Sequence, residues 1–467
     1  MALADFPLPY PPIPACFQPF HSLGLGQLAI LPLDVLQLIL LKAGGGRVRI
    51  LSSGLKRMFD EANTSLNICL SHSAFLAADV GLHIAKVISS SKALDSVAVK
   101  TKSHYIFSDM FRDFIPSLAS LKSLRTLVLS EFYMETDVVV SLSKVLTVLT
   151  GLHTLDLSVY RSGDIVAASL ESSLMGLTRL CSLNLSNNSI GLKCAASLAL
   201  SFIALTDLNI LMLSNNSIGP EGTALLAPSL MVLTGLHTLD LGYNDIGPVG
   251  AASLAPSLMV LTGLHTLYLR HNDLGPIGAS LLASSLECLT GLQDLDLSYN
   301  RFGQAGAASL APSLKILTGL RTLEMSSNIV GPHAAVTLVP ILLVLTKLHT
   351  LDLSDNNIGP SGAASLAPSL MALTGLHTLW LTDNDIGRSG AASLAPALMT
   401  LTGLRSLNLS DNNIDAAGAA SLTPSLMALT GLTHLDLSGN CIWGSDARKL
   451  LRASFKEHIT GLCDFNL

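Results

Sequence analysis

Residues 236–241 read LHTLDL, with apolar and polar positions alternating. A period of two belongs to a short strand with one buried face. Residues 250–261 read GAASLAPSLMVL, with apolar positions three and four apart. That spacing puts them on one side of a helix. The phrase then restarts as LTGLHTLYL at 261–269. Strand, turn and helix therefore make one unit, and the unit repeats.

Aligned on LxxLxLxxN, the first leucines run from Leu124 to Leu432 in eleven uninterrupted steps of 28 residues. A last half-unit follows at Leu462, Phe465 and Leu467. One such unit cannot bury its own apolar faces, whereas stacked units share a continuous core. Parallel strands about 4.8 Å apart would form the stack. Helices are wider than strands, so the array is expected to curve, with the sheet on the concave face and the helices on the convex face. The fold class read from the pattern is an α/β solenoid, a horseshoe with a small helical cap at its amino-terminal end.

An Asn follows the strand in ten consecutive units, from Asn188 to Asn440, while Phe132 and Tyr160 hold that position in the first two. A buried Asn there is expected to bond turn N–H and C=O groups that the sheet leaves unpaired. Gly247-Pro248-Val249-Gly250 and its equivalents lead into the helix. Prolines 228, 256, 312, 368, 396 and 424 fall inside the helical phrase. Either the regular helix begins near the preceding Ser, placing Pro in its first turn, or the helices are short or bent.

The pattern LxxLxLxxNxIGxxGAxxLAxxL at 28 residues resembles the leucine-rich repeat family, and within it the ribonuclease-inhibitor type. The resemblance covers residues 124–467. It implies protein binding on the concave face and no chemistry of the chain's own. Residues 63–123 are expected to be degenerate leading repeats, since Leu94-Asp95-Ser96-Val97-Ala98-Val99 fits the strand pattern one slot early.

Composition changes little in this picture. Hydrophobic residues are 49% and charged residues 13% of the 467, and mean hydropathy is +0.53. The apolar runs at 35–41 and 339–345 are far shorter than the ~18–20 residues that span a bilayer, so the apolarity reads as repeated core leucine and no membrane partner is expected. Net charge is −6 without a basic run, which argues against nucleic acid. Seven cysteines, an odd number with no CxxC, point to reduced thiols and a cytoplasmic or nuclear compartment.

Residues 1–29 are proline-rich and nearly uncharged, an expected disordered lead-in. Residues 30–62 carry Leu31, Pro32 and Asp34, then Leu36, Ile39 and Leu40 at helical spacing, before Gly44-Gly45-Gly46. This block resembles a divergent F-box. The resemblance implies docking of the Skp adaptor of a cullin-type ubiquitin ligase through Leu31, Pro32, Leu36, Ile39 and Leu40. It departs from that family in having no Trp near the motif's end, the chain's tryptophans being Trp380 and Trp443. The other reading is a helical cap over the first repeat's apolar edge.

On the concave face, non-leucine strand positions point outward. Tyr243, Tyr268, Arg270, His271 and Tyr299 come from three adjacent repeats, and Tyr and Arg are common binding anchors. Beyond them runs an acidic ridge of Glu324, Asp352, Asp355, Asp383, Asp411 and Asp436, with Trp380 within it. Together they would steer in and hold a basic protein segment. Carboxylates on an open face are expected to stay solvated, with nothing to shift their pKa. His153, His237, His265, His349 and His377 each follow a repeat's first leucine; they read as inherited consensus, not metal ligands. No GxSxG, HExxH or Walker loop is present. The expected function is thus a non-catalytic interaction scaffold without cofactor, in its sharper form a ligase substrate receptor. The alternative is a small-GTPase regulator resembling Ran GTPase-activating proteins, with Arg161 and Arg270 as candidate arginines.

Overall fold

The computed structural model describes residues 65–70, 84–85, 88–89, 94–101, 108–130, 134–158, 164–442 and 464–466. All lie in one unit, residues 64–467. The lead-in at 1–29, the block at 30–62 with Leu31, Pro32, Leu36, Ile39 and Leu40, and Arg161, Phe132 and Tyr160 lie outside the described residues.

Among the described residues, fifteen strands form one sheet in strict chain order, and every pair is parallel, as in β7 with β8 and β8 with β9. The first two strands are β1 (Ser65–Leu70) and β2 (Ser96–Thr101). The next two are β3 (Thr126–Ser130) and β4 (Thr154–Asp156). Then come β5 (Ser182–Asn184), β6 (Ile210–Met212), β7 (Thr238–Asp240), β8 (Thr266–Tyr268) and β9 (Asp294–Asp296). The series closes with β10 (Thr322–Glu324), β11 (Thr350–Asp352), β12 (Thr378–Trp380), β13 (Ser406–Asn408), β14 (His434–Asp436) and β15 (Asp464–Asn466). The half-unit at the end is therefore a strand, with Phe465 opposite Leu435.

Twelve α-helices alternate with the strands among the described residues. They are α1 (Ser108–Phe114), α2 (Thr136–Leu146), α3 (Asp164–Met175), α4 (Leu192–Phe202), α5 (Gly219–Leu230) and α6 (Gly247–Val260), then α7 (Gly275–Glu287), α8 (Gly303–Ile316), α9 (Gly331–Leu342), α10 (Gly359–Leu370), α11 (Gly387–Thr400) and α12 (Ala416–Ala428). The α/β solenoid read from the hydrophobic pattern is the fold.

The core is the leucine pattern made physical. In one unit Leu236, Leu239, Leu241, Ile246, Ala251, Leu254 and Leu258 are all buried. Each buried Leu contributes roughly 1.5–3 kcal/mol of transfer free energy, and the strand leucines at the positions of Leu236 and Leu239 are buried in each unit from Leu124 to Leu435. Gly250 shows how tightly units stack. A Cβ there would come 2.6 Å from Ile246 Cγ2 and 3.3 Å from Pro220 Cα of the preceding unit.

The Asn after each strand is the polar counterpart of the leucines. Asn300 is fully buried. Its Nδ2 donates to the carbonyls of Leu269 at 2.9 Å, Leu297 at 3.0 Å and Ser298 at 3.1 Å. Its Oδ1 accepts from the backbone N–H of Asn272 at 3.1 Å and Leu274 at 3.4 Å. One side chain thus satisfies groups in its own unit and the one before, as the sequence led us to expect. Among the described residues the amide oxygen lacks its bonds at two positions of the series, Asn188 and Asn244. The N–H of Asn216 donates to the Tyr243 carbonyl at 3.1 Å, and Asn244 Oδ1 is left buried without a partner.

The prolines do not mark helix starts, which overturns the first of the two readings. Helix α6 begins at Gly247, and Pro256 lies well inside it. The carbonyl that Pro256 cannot bond is that of Ala252, and both residues are exposed. Water can take the place of the missing N–H, so the proline sits where its cost is lowest.

Candidate functional site

Each turn after a strand places the residue before the Asn in the left-handed region. Tyr243, His271 and Tyr299 have φ of 55°, 56° and 57°. The same row continues through Ser327, Asp355, Asp383 and Asp411, all with positive φ. Asn, Asp and Gly tolerate that conformation; a bulky aromatic there is uncommon and strained by roughly 1–3 kcal/mol.

The three rings form a ladder. Tyr243 and His271 stack with centroids 4.6 Å apart and planes 20° apart. His271 and Tyr299 stack at 5.7 Å and 25°. Arg270 closes one side of it. Its guanidinium lies 5.0 Å from the Tyr243 ring centroid, and Nη2 donates to Tyr243 Oη at 2.8 Å. On its other side Nε is 3.7 Å from Asp296 Oδ2. Burial works against the Arg270 charge, but Asp296 and Tyr243 outweigh it and hold the guanidinium protonated. Space for Arg270 comes from Gly242, where a Cβ would lie 2.9 Å from Arg270 Cγ. In most other units that position is Ser or Thr. Gly242 is thus part of the site, and its break with the repeat was the available signal.

The acidic ridge divides into two rows. Asp355, Asp383 and Asp411 stand exposed in the turn row, joined to the aromatics through Ser327, whose hydroxyl donates to Asp355 Oδ2 at 2.8 Å. Asp383 is raised above the usual carboxylate range by desolvation and by the neighbouring charges of Asp355 and Asp411.

The strand row is different, and the expectation of solvated carboxylates fails there. Asp240, Asp296 and Asp352 are 7%, 3% and 7% exposed. Burial raises Asp240 to about 6 and raises Asp296 and Asp352 as well. Glu324, between Asp296 and Asp352 in register, is pushed up to about 8 by burial and then by those two charges. Flanking strands in register on both sides exclude water from this row more than an isolated strand suggests.

These carboxylates have a structural task. Asp240 Oδ1 accepts from Gly242 N–H at 2.9 Å, Asp296 Oδ1 from Ser298 N–H at 2.9 Å, and Asp352 Oδ1 from Ser354 N–H at 2.9 Å. Asn184 and Asn408 make the same bond in their units. The recurring Asp is therefore a turn-forming residue.

Tyr243, Arg270, His271 and Tyr299 are thus brought together. Tyr268 lies in the strand row between Asp240 and Asp296. Trp380 is not part of the cluster. It lies four strands from Tyr268, about 19 Å along the sheet, and donates from Nε1 to Ser406 Oγ at 3.3 Å. Among the described residues, no group of three or more His, Cys, Asp or Glu could hold a metal ion, and no helix is long and apolar enough to cross a membrane.

A leucine-rich repeat family model matches residues 233–255, 261–283, 290–311, 344–367, 373–395, 401–422 and 429–451. These segments of the chain are leucine-rich repeats. They include Tyr243, Tyr268, Arg270, His271 and Tyr299. Among solved structures, an internalin from Listeria monocytogenes is 21% identical, with a TM-score of 0.44, over 94% of this chain and 98% of that one. A leucine-rich repeat protein of Leptospira interrogans is 18% identical, with a TM-score of 0.44, over 89% of this chain and 98% of that one. No curated protein matches the chain.

Proposed function

We propose that this leucine-rich repeat protein is a non-catalytic scaffold that binds a protein partner along the turn row of its sheet face. The observation that carries the reading is the Tyr243–His271–Tyr299 ladder. Three large side chains occupy left-handed positions where the other units between residues 187 and 439 carry Asn, Asp, Ser or Gly. Strain of that kind points toward function. Stacked rings backed by Arg270 offer rigid area with polar edges, the makings of a binding hot spot. The exposed Asp355, Asp383 and Asp411 continue the same row and favour a basic segment in the partner. The strand-row carboxylates add less steering than their number suggests, because burial keeps Glu324 largely protonated at neutral pH.

The test is photo-crosslinking in cells from a benzoylphenylalanine placed at Tyr299, with Val249 on the helix side as the control position. One discrete adduct from position 299, absent from 249 and lost when Asp355, Asp383 and Asp411 become Asn, supports the reading. Equal labelling from both positions contradicts it.

The regular 28-residue unit supports assignment to the ribonuclease-inhibitor type. Leu31-Pro32 with Asp34, Leu36, Ile39 and Leu40 favours a second role, docking the Skp adaptor so that the bound partner becomes a ligase substrate. Saturable adaptor binding by the full chain, lost in a Leu36→Asp, Ile39→Asp variant, tests it. The GTPase-regulator alternative gains nothing from Arg270, which is engaged by Tyr243 and Asp296.

A further inference from the structure

The opposite edge of the same strands carries the other charge. Arg321, His349, His377 and Arg405 immediately precede β10, β11, β12 and β13. Main-chain bonds lock them into one row. The His349 N–H donates to the Arg321 carbonyl at 2.7 Å, His377 to His349 at 2.8 Å, and Arg405 to His377 at 2.8 Å. Three strand spacings put the whole row within about 14 Å. The two imidazoles touch, with centroids 5.0 Å apart. Arg321, His349 and Arg405 are exposed and His377 is half-buried. Lys347, also exposed, adds a third permanent positive charge two residues before His349.

These cations differ from four arginines elsewhere in the chain. Arg112, Arg270, Arg301 and Arg388 each have a carboxylate partner. Among the described residues, no carboxylate forms an ion pair with Arg321, His349, His377 or Arg405. In a chain of net charge −6, unpaired cations concentrated on one edge are a local reversal of sign. The row also repels itself. Burial, then His349, then Arg405 lowers the His377 pKa below its ordinary value, and an anion would relieve the two electrostatic causes. Shared consensus explains the histidines of the two matching units, but not the arginines that flank them.

We propose that this strand-start edge of β10–β13 docks an acidic segment of a protein partner. Six positions separate His377 from Asp383 in the turn row, so the sheet face here is positive along one side and negative along the other. A partner with segregated charges would be held in one orientation, its carboxylates over the Arg and His row and its basic groups over the Asp row. The proposal rests on the interaction reading for the partner's being a protein; the anion-binding edge stands on the cation row itself.

The experiment uses the full chain and two probes at low ionic strength, hexaglutamate and hexalysine. Hexaglutamate is expected to bind saturably, at least about five-fold more weakly to an Arg321→Gln, Arg405→Gln variant. The His377 ring should titrate at higher pH in the complex. Both arginines are exposed, and an unchanged circular dichroism spectrum verifies that the variant folds. Absence of saturable hexaglutamate binding, or binding indifferent to the double substitution, overturns the proposal. Hexalysine, tested against Asp355→Asn, Asp383→Asn, Asp411→Asn, probes the turn row. Its failure would count against the basic-segment reading and leave the cation edge standing.

Discussion

His271 stacks on Tyr243 at 4.6 Å, and both rings hang from backbone held at φ near +55°. The stack exists because the turn repeats without insertion, so rings 28 residues apart fall one strand spacing apart. What holds the turn is the buried Asn beneath it. The proposed binding surface and the scaffold therefore meet within adjacent residues.

The Asn series should be unequal in its energetics. Asn272 accepts two backbone N–H bonds on Oδ1 and donates to three carbonyls. Replacing it with Ala should cost about 3–5 kcal/mol, since several buried groups lose partners at once. Asn244 Oδ1 has no partner, so Asn244→Ala should cost about 1–2 kcal/mol less. Urea unfolding of the two variants checks this ordering, and equal costs would refute it.

Gly242 should be required for the position of Arg270. A Ser there meets Arg270 Cγ and would lever the guanidinium away from Tyr243. Gly242→Ser is expected to destabilise by about 1–2 kcal/mol. In an Arg270→Ala background the same change should cost little, which a double-mutant cycle reads directly.

Glu324 should make stability fall with rising pH. Its folded pKa is about 8, against 4.5 ordinarily. The folded state therefore holds the proton more tightly, and stability declines between those values by up to about 1.4 kcal/mol per pH unit. Glu324→Gln removes that dependence. The variant should match the parent near pH 5 and exceed it by about 2 kcal/mol or more near pH 8.5. Asp240→Asn should gain in the same sense over a lower window, ending near its folded pKa of about 6. Unfolding curves across pH 5–9 measure both, and parallel pH profiles of variant and parent would contradict this assignment.

The fold was legible because leucine spacing is a one-dimensional signal for a stacked structure. The task of Asn300 could likewise be read from its place at the corner. The aromatic cluster was legible in part, because fixed register turns a residue column into a spatial row. Three features were not. Left-handed backbone at Tyr243 and its equivalents depends on the turn geometry, which the sequence marks only through Asn, Asp and Gly at the same position elsewhere. Burial of Asp240 and Asp296 depends on neighbouring units walling the strand row, so a carboxylate that looks solvated in one strand is not. The His349–His377 pair looked like inherited consensus until Arg321 and Arg405 were seen to flank it in one row without carboxylate partners.

The most direct test of the central claim, that the aromatic ladder is kept for binding and not for the fold, is the unfolding free energy of the Tyr243→Asn, His271→Asn, Tyr299→Asn triple variant. Asn suits the left-handed backbone, and relief of strain at three positions should offset the lost stacking and the lost contact with Arg270. The expected stability is within about 1 kcal/mol of the parent, or above it. A loss of about 3 kcal/mol or more would show that the rings hold the array together, and the claim that they serve a partner would fall.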